Sequence, residues 1–518
     1  MNFLKDLHVL VLGLGDSGLA MARWCARHGA LVTAWDSRDS APGMAALRHE
    51  WPAVDIISGP LGVDRLIGMQ LVLKSPGLAP SDARVAPLLD EARAIGIAVQ
   101  GELDLFARAL ADLQADGGYA PQVLAITGTN GKTTTTAMTA MLVARAGKRV
   151  AVAGNIGPTL LDTLSACLDQ PIDERPEVWV LELSSFQLEG GGSGVKGFEP
   201  SAAAVLNITQ DHLDWHGSMA AYTAAKARVF GSAVGSTATL VINADDPAVE
   251  ALVPQPLPVK GKAKPKPITQ TVMRFGLGAP CHPGDFGLVT ENGMAWLVRA
   301  LPVDETFKLK KGEELEIHLQ RLMPADALRV RGRHNAANAL AALSLATAIG
   351  CTLAPMLHGL REYAGEPHRV QPVGMVGEVE AYDDSKGTNV GATVAALNGL
   401  GADKTPSKLV VILGGDGKGQ DFSPLTAPLA RHARAVATIG RDAAAIEATI
   451  EGAVPGMPLQ RFSTLPAAVN WCFEQALPGD AVLLSPACAS LDMFNNYAHR
   501  AQVFVEAAQA WAADRGQA

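Results

Sequence analysis

Short apolar runs alternate with alanine-rich segments along the chain, a pattern typical of the strands and helices that build parallel sheets. In the first part, the runs HVLVLGLG, LVTAWD and LVLKSPG predict strands, and LAMARWCARHGA predicts the helix that connects the first two. A second alternation starts at VLAITGTNGKTTTT and a third at about Glu366. We therefore expect an α/β protein with three successive units, each built on a mostly parallel sheet.

The length agrees with this organisation, because 518 residues at about 150 residues per domain correspond to three or four domains. We place an N-terminal domain at residues 1–112, a central domain at 113–365 and a C-terminal domain at 366–518. The polar stretch from Ala111 to Gln122 predicts a linker between the first two. The proline- and lysine-rich run from Pro254 to Pro267 predicts a solvated loop rather than a basic recognition patch.

Composition excludes several classes of protein. Hydrophobic residues make up 48% of the chain and charged residues 18%, which indicates a globular rather than a disordered protein. The formal net charge of −9 argues against a broad basic surface for nucleic acid. The six cysteines form no C-x-x-C pair, and no apolar run approaches the ~20 residues of a membrane span. We expect a cytoplasmic protein with neither a nucleic-acid nor a membrane partner.

The strongest local signal is a phosphate-binding loop. The run TGTNGKTT, residues 127–134, follows the strand VLAI and precedes a helix. Backbone N–H groups at the start of that helix would form an anion site, Lys132 would add positive charge, and the Thr133 hydroxyl would bind Mg²⁺. The usual first glycine of this motif is replaced by Ile126. We predict an ATP site here.

Three other features carry candidate chemistry with more than one interpretation. Glu182 lies in the apolar strand VWVLELSS, where a buried carboxylate needs a cation, either Mg²⁺ or the partner of a structural ion pair. The run DHLDWH, residues 211–216, is compatible with a transition-metal site or a polar turn. Lys226, in the helical run AAKARVF, is typical of a solvated or snorkelling lysine.

Glycines near the N-terminus indicate a second phosphate site. The stretch from Gly13 to Gly18 follows a strand and opens a helix, and Asp36 ends the next strand, as in dinucleotide-binding proteins. NAD, another diphosphate or a purely structural turn would each explain this pattern. Farther along, the helix RGRHNAANALAALSLATAIG presents Asn335 and Asn338 on one face, because they are three residues apart.

Taken together, the motifs resemble the Mur ligase family. The matching runs are TGTNGKTTT, GNIG, LELSSFQL, DHLDWH, AAKARVF, GRHNAANALAA, PHR, DDSKGTN, LGGDGKGQDF and SPACASLDMF. They stand in family order between Gly13 and Tyr497, over nearly the whole chain. The resemblance implies an N-terminal Rossmann-like domain for a UDP-sugar, a central P-loop ATPase-type domain, and a C-terminal Rossmann-like domain for an amino acid.

Two of these runs, DDSKGTN and SPACASLDMF, resemble the member of the family that adds D-glutamate. The resemblance implies that ATP phosphorylates the carboxylate of UDP-N-acetylmuramoyl-L-alanine and that the D-glutamate amine attacks the acyl phosphate. This reaction belongs to peptidoglycan precursor synthesis, and so to cell-wall growth, cell shape and division. We expect the ligase to act as a monomer.

The resemblance also implies a set of catalytic and ATP-binding residues. Those implied for catalysis are Lys132, Glu182, His212 and Lys226. Those implied for ATP are Gly128, Thr129, Asn130, Gly131, Lys132, Thr133, Thr134, Asn335, Asn338, Arg369, Asp384 and Lys386. Two Mg²⁺ ions are implied, held by Thr133, Glu182, His212 and Lys226. For the last of these the family pattern implies a lysine carbamylated by CO₂. The ATP-binding residues are expected to converge between the central and C-terminal domains.

The other two substrates have their own implied residues. Those for the UDP-sugar are Asp16, Ser17, Ser37, Arg38, Ser75, Pro76, Gly77, Asn155 and His212. Those for D-glutamate are Thr388, Lys418, Ser490, Leu491 and Tyr497. The last position departs from the family pattern, which has phenylalanine where this chain has tyrosine.

Three other functions remain to be weighed. An NAD-dependent oxidoreductase would explain Gly13 to Gly18 but would leave the phosphate loop, Glu182 and Lys226 without a role. A folylpolyglutamate synthase would use the phosphate loop, but such a protein usually starts near that loop. Here more than a hundred residues precede Lys132. A non-enzymatic P-loop switch would need neither the DHLDWH run nor a third α/β unit.

Overall fold

The computed structural model describes residues 2–191, 195, 197–231, 238–254, 270–304, 316–330 and 332–516. In these residues the chain forms three β-sheets and divides into two compact units. Unit 1 contains Met1–Ile208, His212–Met323 and Ala339–Leu360, and unit 2 contains Thr209–Asp211, Pro324–Asn338 and Arg361–Ala518. The predicted proline- and lysine-rich loop lies outside the described residues from position 255 onward.

The first sheet of unit 1 has five parallel strands in the order β3-β2-β1-β4-β5. Its elements are β1 (His8–Leu12), α1 (Asp16–Arg27), β2 (Leu31–Asp36), α2 (Met44–Glu50), β3 (Asp55–Ser58), β4 (Leu71–Lys74), α3 (Ala86–Ala94), β5 (Ala98–Gln100) and α4 (Glu102–Gly117). The residues of β1 after His8 are fully buried, as expected for a central strand covered on both faces. Parallel strands end at one edge, so the loops after β1, β2 and β4 lie together.

The second sheet of unit 1 has nine strands among the described residues, in the order β14-β13-β12-β11-β10-β9-β6-β8-β7. The strands are β6 (Gln122–Thr127), β7 (Val150–Gly154), β8 (Val178–Glu182), β9 (Ala202–Val205), β10 (Thr239–Asn243), β11 (Val272–Phe275), β12 (Phe286–Glu291), β13 (Met294–Pro302) and β14 (Ile317–Pro324). Between β7 at one edge of the sheet and β12, all neighbouring described strands pair in parallel, including β6. The next strand, β13, pairs with β12 in the antiparallel sense.

Helices accompany this second sheet along the chain. They are α5 (Lys132–Arg145), α6 (Leu160–Leu168), α7 (Ser185–Glu189), α8 (Leu213–His216), α9 (Met219–Ala227), α10 (Pro247–Glu250), α11 (Arg333–Ala348) and α12 (Leu353–Glu362). No described helix is both long enough and apolar enough to span a membrane.

The sheet of unit 2 has six strands in the order β15-β16-β20-β17-β18-β19 among the described residues. Its elements are β15 (Gln371–Val376), β16 (Val379–Asp383), α13 (Val390–Lys404), β17 (Leu409–Gly414), α14 (Thr426–His432), β18 (Ala433–Ile439), α15 (Ala443–Ala453), β19 (Leu459–Arg461), α16 (Leu465–Gln475), β20 (Ala481–Leu484) and α17 (Tyr497–Asp514). Only β15 runs antiparallel to its neighbour.

Three sheets are present among the described residues, one for each predicted alternation of strands and helices. The predicted linker between the first two is wrong in its first half. Helix α4 continues through Ala111 as far as Gly117, because Leu110 and Leu113 still pack against the core of unit 1. Gly118, with φ of +70°, ends the helix in the left-handed conformation that glycine adopts without strain. The boundary proposed at residue 112 therefore falls inside a helix. The division into three domains at residues 112 and 365 remains a prediction.

One glycine of the N-terminal loop makes a close backbone approach. A Cβ atom added to Gly18, in α1, would lie 1.7 Å from the carbonyl oxygen of Gly13. We predict that Gly18→Ala lowers stability by roughly 1–3 kcal/mol, as overpacking does, and lowers the thermal unfolding midpoint. Gly15→Ala is the matched control, since no atom lies within 4 Å of its added Cβ. Equal midpoints for the two variants would contradict this account.

Candidate active site

The predicted phosphate loop connects β6 to α5 and is shaped by two glycines. Gly128 has φ of +155°, and an added Cβ would lie 2.9 Å from Cβ of Leu206. Gly131 has φ of +83° and precedes the first residue of α5, Lys132. Both conformations are in the region that L-residues rarely adopt. The loop therefore runs from the end of β6 directly into the N-terminus of α5, as the sequence predicts.

Two residues missed by sequence reasoning anchor this loop. The side chain of Asn207 accepts a bond from the Asn130 backbone N–H at 2.8 Å and donates to its carbonyl at 3.0 Å. The Thr129 hydroxyl lies 3.0 Å from the Tyr222 hydroxyl. A signal for the tyrosine existed, because Tyr222 stands four residues before Lys226 on one helix and so shares its face. Asn207 follows β9, and its partner is fixed only by the tertiary fold.

Two lysines meet at one carbonyl of the loop. The Lys132 ammonium donates to the carbonyl oxygens of Gly128 at 2.9 Å and Thr129 at 2.8 Å. The Lys226 ammonium donates to the same Gly128 oxygen at 2.7 Å and lies 4.5 Å from the centroid of the Tyr222 ring. Lys226 is 1% exposed, so its interpretation as a solvated lysine is wrong.

Glu182 ends β8 beside the phosphate loop, because it is the register partner of Ile126 on β6. Its side chain is buried, and Oε1 accepts a hydrogen bond from the Asn155 side-chain amide at 2.9 Å. The other oxygen, Oε2, is buried with no hydrogen-bond partner among the described residues. A buried carboxylate oxygen without a donor is costly unless a cation meets it. Mg²⁺ prefers such oxygen ligands, so Glu182 fits a metal site.

The DHLDWH run forms a short aromatic cluster rather than a cage of metal ligands. His212 precedes α8, and its ring lies 4.7 Å from the Phe186 ring. His216 Nε2 lies 2.9 Å from the Ser185 hydroxyl, and burial, followed by the nearby His212, lowers the pKa of His216 to about 4. In the part of the chain that the structure describes, no three or more His, Cys, Asp or Glu side chains are grouped for a metal. The structure therefore gives no support to a transition-metal site in this run.

A cavity of about 310 Å³ lies where the first-sheet loops meet. Burial alone would raise the pKa of Asp36, but hydrogen bonds from the Arg38 side chain and the Leu14 backbone outweigh it and lower the pKa to about 2. The Arg84 guanidinium donates to the Ser37 hydroxyl at 3.0 Å. The residues that line the cavity are Gly13, Gly15, Trp35, Asp36, Ser37, Arg38, Ser75, Gly77, Leu78 and Arg84.

Four of the residues implied for the UDP-sugar line this cavity, namely Ser37, Arg38, Ser75 and Gly77. The other five are not among the lining residues: Asp16 and Ser17 begin α1, Pro76 belongs to the same loop as Ser75 and Gly77, Asn155 binds Glu182, and His212 precedes α8. The implied set missed Arg84, since its sequence neighbourhood shows no motif. Its place in the cavity follows from the loop after β4 folding back towards Ser37.

In unit 2, Asp384 is the buried centre of the residues implied for ATP. Its carboxylate accepts hydrogen bonds from the Ser485 hydroxyl at 2.6 Å and the Val370 N–H at 3.2 Å. Burial raises the pKa of Asp384 to about 7, while the positive charge of Arg369 opposes the rise. The Lys386 ammonium lies 5.4 Å from the Tyr497 ring. Asp384, Arg369 and Lys386 therefore belong to one neighbourhood of this unit.

Two further contacts in unit 2 involve residues implied for ATP and D-glutamate. The Asn338 side-chain amide donates to Asn335 Oδ1 at 3.1 Å, so these two residues share a helix face as predicted. His368, which no motif argument assigned, lies with Nδ1 2.6 Å from the Asp383 carboxylate and its ring 5.9 Å from that of Tyr497.

Two loops that carry residues implied for D-glutamate lie side by side. The backbones of Asp416 and Ala489 exchange two hydrogen bonds, of 3.0 and 2.8 Å, which pair the loop after β17 with the loop after β20. The first loop contains Lys418, in the left-handed conformation with φ of +51°. The second contains Ser490, which is buried, and Leu491, which is 73% exposed. Thr388 follows Lys386 closely in the sequence, and the Thr388 backbone N–H donates to the Lys386 carbonyl oxygen.

The implied site residues are thus divided between the two units. The phosphate loop, Glu182, His212 and Lys226 lie in unit 1 with the cavity of the first sheet. The residues from Asn335 to Tyr497 assigned to ATP and D-glutamate lie in unit 2. Their convergence on one nucleotide remains a prediction.

Three family models match successive parts of the chain. The MurD-like N-terminal domain of Mur ligases matches residues 7–101, the Mur ligase middle domain matches residues 126–263, and the Mur ligase glutamate ligase domain matches residues 368–488. A UDP-N-acetylmuramoylalanine-D-glutamate ligase of Albidiferax ferrireducens is 59% identical, over 100% of this chain and 99% of the relative. A relative of the same name from Burkholderia multivorans is 55% identical, over 98% of both chains.

Solved structures agree with the fold. UDP-N-acetylmuramate-alanine ligase MurC from Thermotoga maritima has a TM-score of 0.54 at 20% identity, covering 98% of this chain and 99% of its own. MurF ligase from the same organism, in complex with ADP, has a TM-score of 0.58 at 15% identity, covering 99% and 100%. At such identities the likeness concerns the fold alone. It confirms the predicted three-domain α/β architecture.

The unpartnered oxygen of Glu182 generates a prediction. In protein free of Mg²⁺, Glu182→Gln should unfold at a midpoint no lower than the parent, because an unpaired buried polar group costs about 1–3 kcal/mol and a charged one costs more than the neutral amide that replaces it. The same variant should lose the extra stability that Mg²⁺ and ATP give the parent, as measured by thermal unfolding with and without both. Glu189→Gln is the control: its carboxylate pairs with Arg228, so its loss should lower the midpoint. A large destabilisation by Glu182→Gln without metal would contradict the assignment.

Proposed function

The chain belongs to the Mur ligase family, and we propose that it joins D-glutamate to UDP-N-acetylmuramoyl-L-alanine while ATP is converted to ADP and phosphate. One observation carries the proposal. A phosphate loop with a buried carboxylate and a buried lysine in unit 1 accompanies, in unit 2, a lysine-bearing loop paired with the Ser490 loop. The relatives that match the chain from end to end bear the name of this ligase.

The first step activates a carboxylate, which is a poor acylating agent as it stands. Attack of a carboxylate oxygen on the γ-phosphorus of ATP forms an acyl phosphate and releases ADP, so that phosphate becomes the leaving group. Two anions must approach each other in this step, and positive groups have to offset their repulsion. The backbone amides at the start of α5 and the Lys132 ammonium would provide part of that charge, since the loop opens at the N-terminus of this helix.

Magnesium would supply the rest by neutralising charge on the phosphate oxygens. Thr133 and Glu182 are the residues of this chain that would hold a first ion, since Glu182 presents a buried oxygen that receives no hydrogen bond from the part of the chain that the structure describes. His212 and Lys226 are proposed for a second ion. An ammonium cannot bind a cation, so Lys226 would have to lose one proton to become a neutral amine. That amine would then add to CO₂ and lose a second proton, giving a carbamate anion. Its burial supports this proposal, because a buried ammonium is costly and CO₂ reacts with the neutral amine.

The second step forms the amide bond. The D-glutamate amine attacks the acyl carbon, phosphate leaves with the bonding electron pair, and the amine loses a proton. Lys418 would pair with a carboxylate of the incoming amino acid, and Thr388, Ser490, Leu491 and Tyr497 would complete its surroundings. Arg369 is proposed for the γ-phosphate, with Asn335, Asn338, Asp384 and Lys386 as further contacts of ATP.

The cavity of the first sheet is proposed for the uridine nucleotide rather than for NAD. Arg38 and Arg84 border it, and α1 begins beside it at Asp16 and Ser17, so a diphosphate would meet positive charge and backbone N–H groups. A monomer acting in the cytoplasm is part of the proposal. The six cysteines are free thiols, five of them buried, which supports a reducing compartment.

The substrate assignment predicts a strict amino-acid requirement. Phosphate release from ATP should need both UDP-N-acetylmuramoyl-L-alanine and D-glutamate, because the acyl phosphate is consumed only when the right amine reaches it. We propose measuring phosphate release with a panel of D-glutamate, L-glutamate, L-alanine and a diamino acid. Equal turnover with L-alanine or the diamino acid would refute the D-glutamate assignment, and release without any nucleotide-sugar would refute the ligase.

The carbamate assignment makes a separate prediction. Lys226→Ala should reduce turnover by about a hundredfold or more, as loss of a metal-linked group does, and millimolar formate or acetate should restore part of it by supplying an anion. Lys132→Ala is the control, because Lys132 acts as a cation and added carboxylates should not rescue it. Failure of formate and acetate to rescue Lys226→Ala, or equal rescue of both variants, would argue against a carbamate.

A further inference from the structure

The loop after β18 contacts both amino-acid loops of unit 2 but belongs to no site assigned above. It consists of Gly440, Arg441 and Asp442, and we call it the β18 loop. Its neighbours are the loop after β17, which carries Lys418, and the loop after β20, which carries Ser490 and Leu491.

Towards the loop after β17, the β18 loop makes polar contacts through Arg441 and Asp442. The Arg441 guanidinium donates to Asp416 Oδ2 at 2.8 Å, while Asp416 Oδ1 accepts the backbone N–H of Lys418 at 3.1 Å. The backbone N–H of Gly417 donates to Asp442 Oδ2 at 2.7 Å. The Asp416 carboxylate therefore holds Arg441 with one oxygen and the Lys418 backbone with the other.

Towards the loop after β20, the contacts are equally direct. The backbone N–H of Arg441 donates to Asp492 Oδ2 at 2.9 Å, two residues after Ser490. A Cβ added to Gly440 would lie 2.6 Å from that same oxygen and 2.7 Å from Cα of Gly415. The loops are packed so closely here that only glycine fits, and Arg441 contacts one loop through its backbone and the other through its side chain.

We propose that Arg441 is a positioning residue that sets the specificity site for the incoming amino acid. Lys418 has a left-handed backbone, which a lysine rarely adopts without local hydrogen bonds that favour it. The bond from its N–H to Asp416 is such a bond, and Arg441 fixes the rotamer of the Asp416 carboxylate. The inference rests on the proposed function, since it assumes that Lys418 pairs with a carboxylate of D-glutamate.

The competing explanation is a merely structural ion pair, which predicts that loss of Arg441 leaves the KM for D-glutamate unchanged. The Arg441 side chain is 62% exposed, and exposed pairs contribute little to stability. Loss of Arg441 should therefore leave the thermal midpoint nearly unchanged, while a misplaced Lys418 weakens binding of the amino acid alone.

The experiment measures KM and kcat for each of the three substrates. Arg441→Met should raise KM for D-glutamate by about five- to tenfold, as small misplacements of a binding group do, with KM for ATP and for the nucleotide-sugar unchanged. Arg441→Lys, which keeps a cation, should recover most of the loss. Arg461→Met is the control, because Arg461, at the end of β19, forms a similarly exposed pair with Glu447 on α15. Asp416→Asn tests the same pair from its other side and should also raise KM for D-glutamate.

A double variant decides whether Arg441 acts through Lys418. If it does, Arg441→Met should add no further increase in KM to that of Lys418→Met, because the coupled effect is already lost. Additive effects would overturn the positioning role, and so would an unchanged KM for D-glutamate in Arg441→Met. If the unmodified enzyme fails to use D-glutamate, the proposed function itself fails, which separates the two outcomes.

Discussion

A buried carboxylate oxygen with no protein donor is the constraint on which the chemistry of unit 1 depends. Glu182 Oε2 lies at the end of β8, next to the strand that leads into the phosphate loop. Water does not reach it, and the described residues offer it no hydrogen bond. Its free energy is lowest when a cation is present, so this position ties the stability of the site to occupancy by metal and nucleotide.

The same principle explains how an acidic protein accommodates anionic substrates. The chain carries a formal net charge of −9, yet each proposed anion site has local positive groups. Lys132 and the start of α5 lie at the phosphate loop, Arg38 and Arg84 border the cavity proposed for the uridine nucleotide, and Lys418 is proposed for the amino acid. Local charge and backbone dipoles act over a few ångströms, whereas net charge acts through a screened field.

Much of the fold and part of the site were predictable from sequence, for identifiable reasons. The phosphate loop is predictable because glycines at 128 and 131, Lys132 and the flanking strand and helix are contiguous. Glu182 is predictable because a carboxylate in an apolar strand is rare. Asn207 and Arg84 were not, since their partners lie far away in sequence and only the fold brings them together. The linker prediction was wrong in its first half because polar residues on the exposed face of α4 hid the apolar face that keeps it helical.

The most direct test of the central claim is the binding of Mn²⁺, as a substitute for Mg²⁺, to the protein with ADP, followed by electron paramagnetic resonance. Wild-type protein should bind Mn²⁺, and Glu182→Gln should weaken this binding by about tenfold or more, as loss of a metal-site carboxylate does. Glu189→Gln should bind Mn²⁺ as the wild type does. Equal affinity in wild type and Glu182→Gln would contradict the account, because the buried oxygen would then have no part in holding the cation.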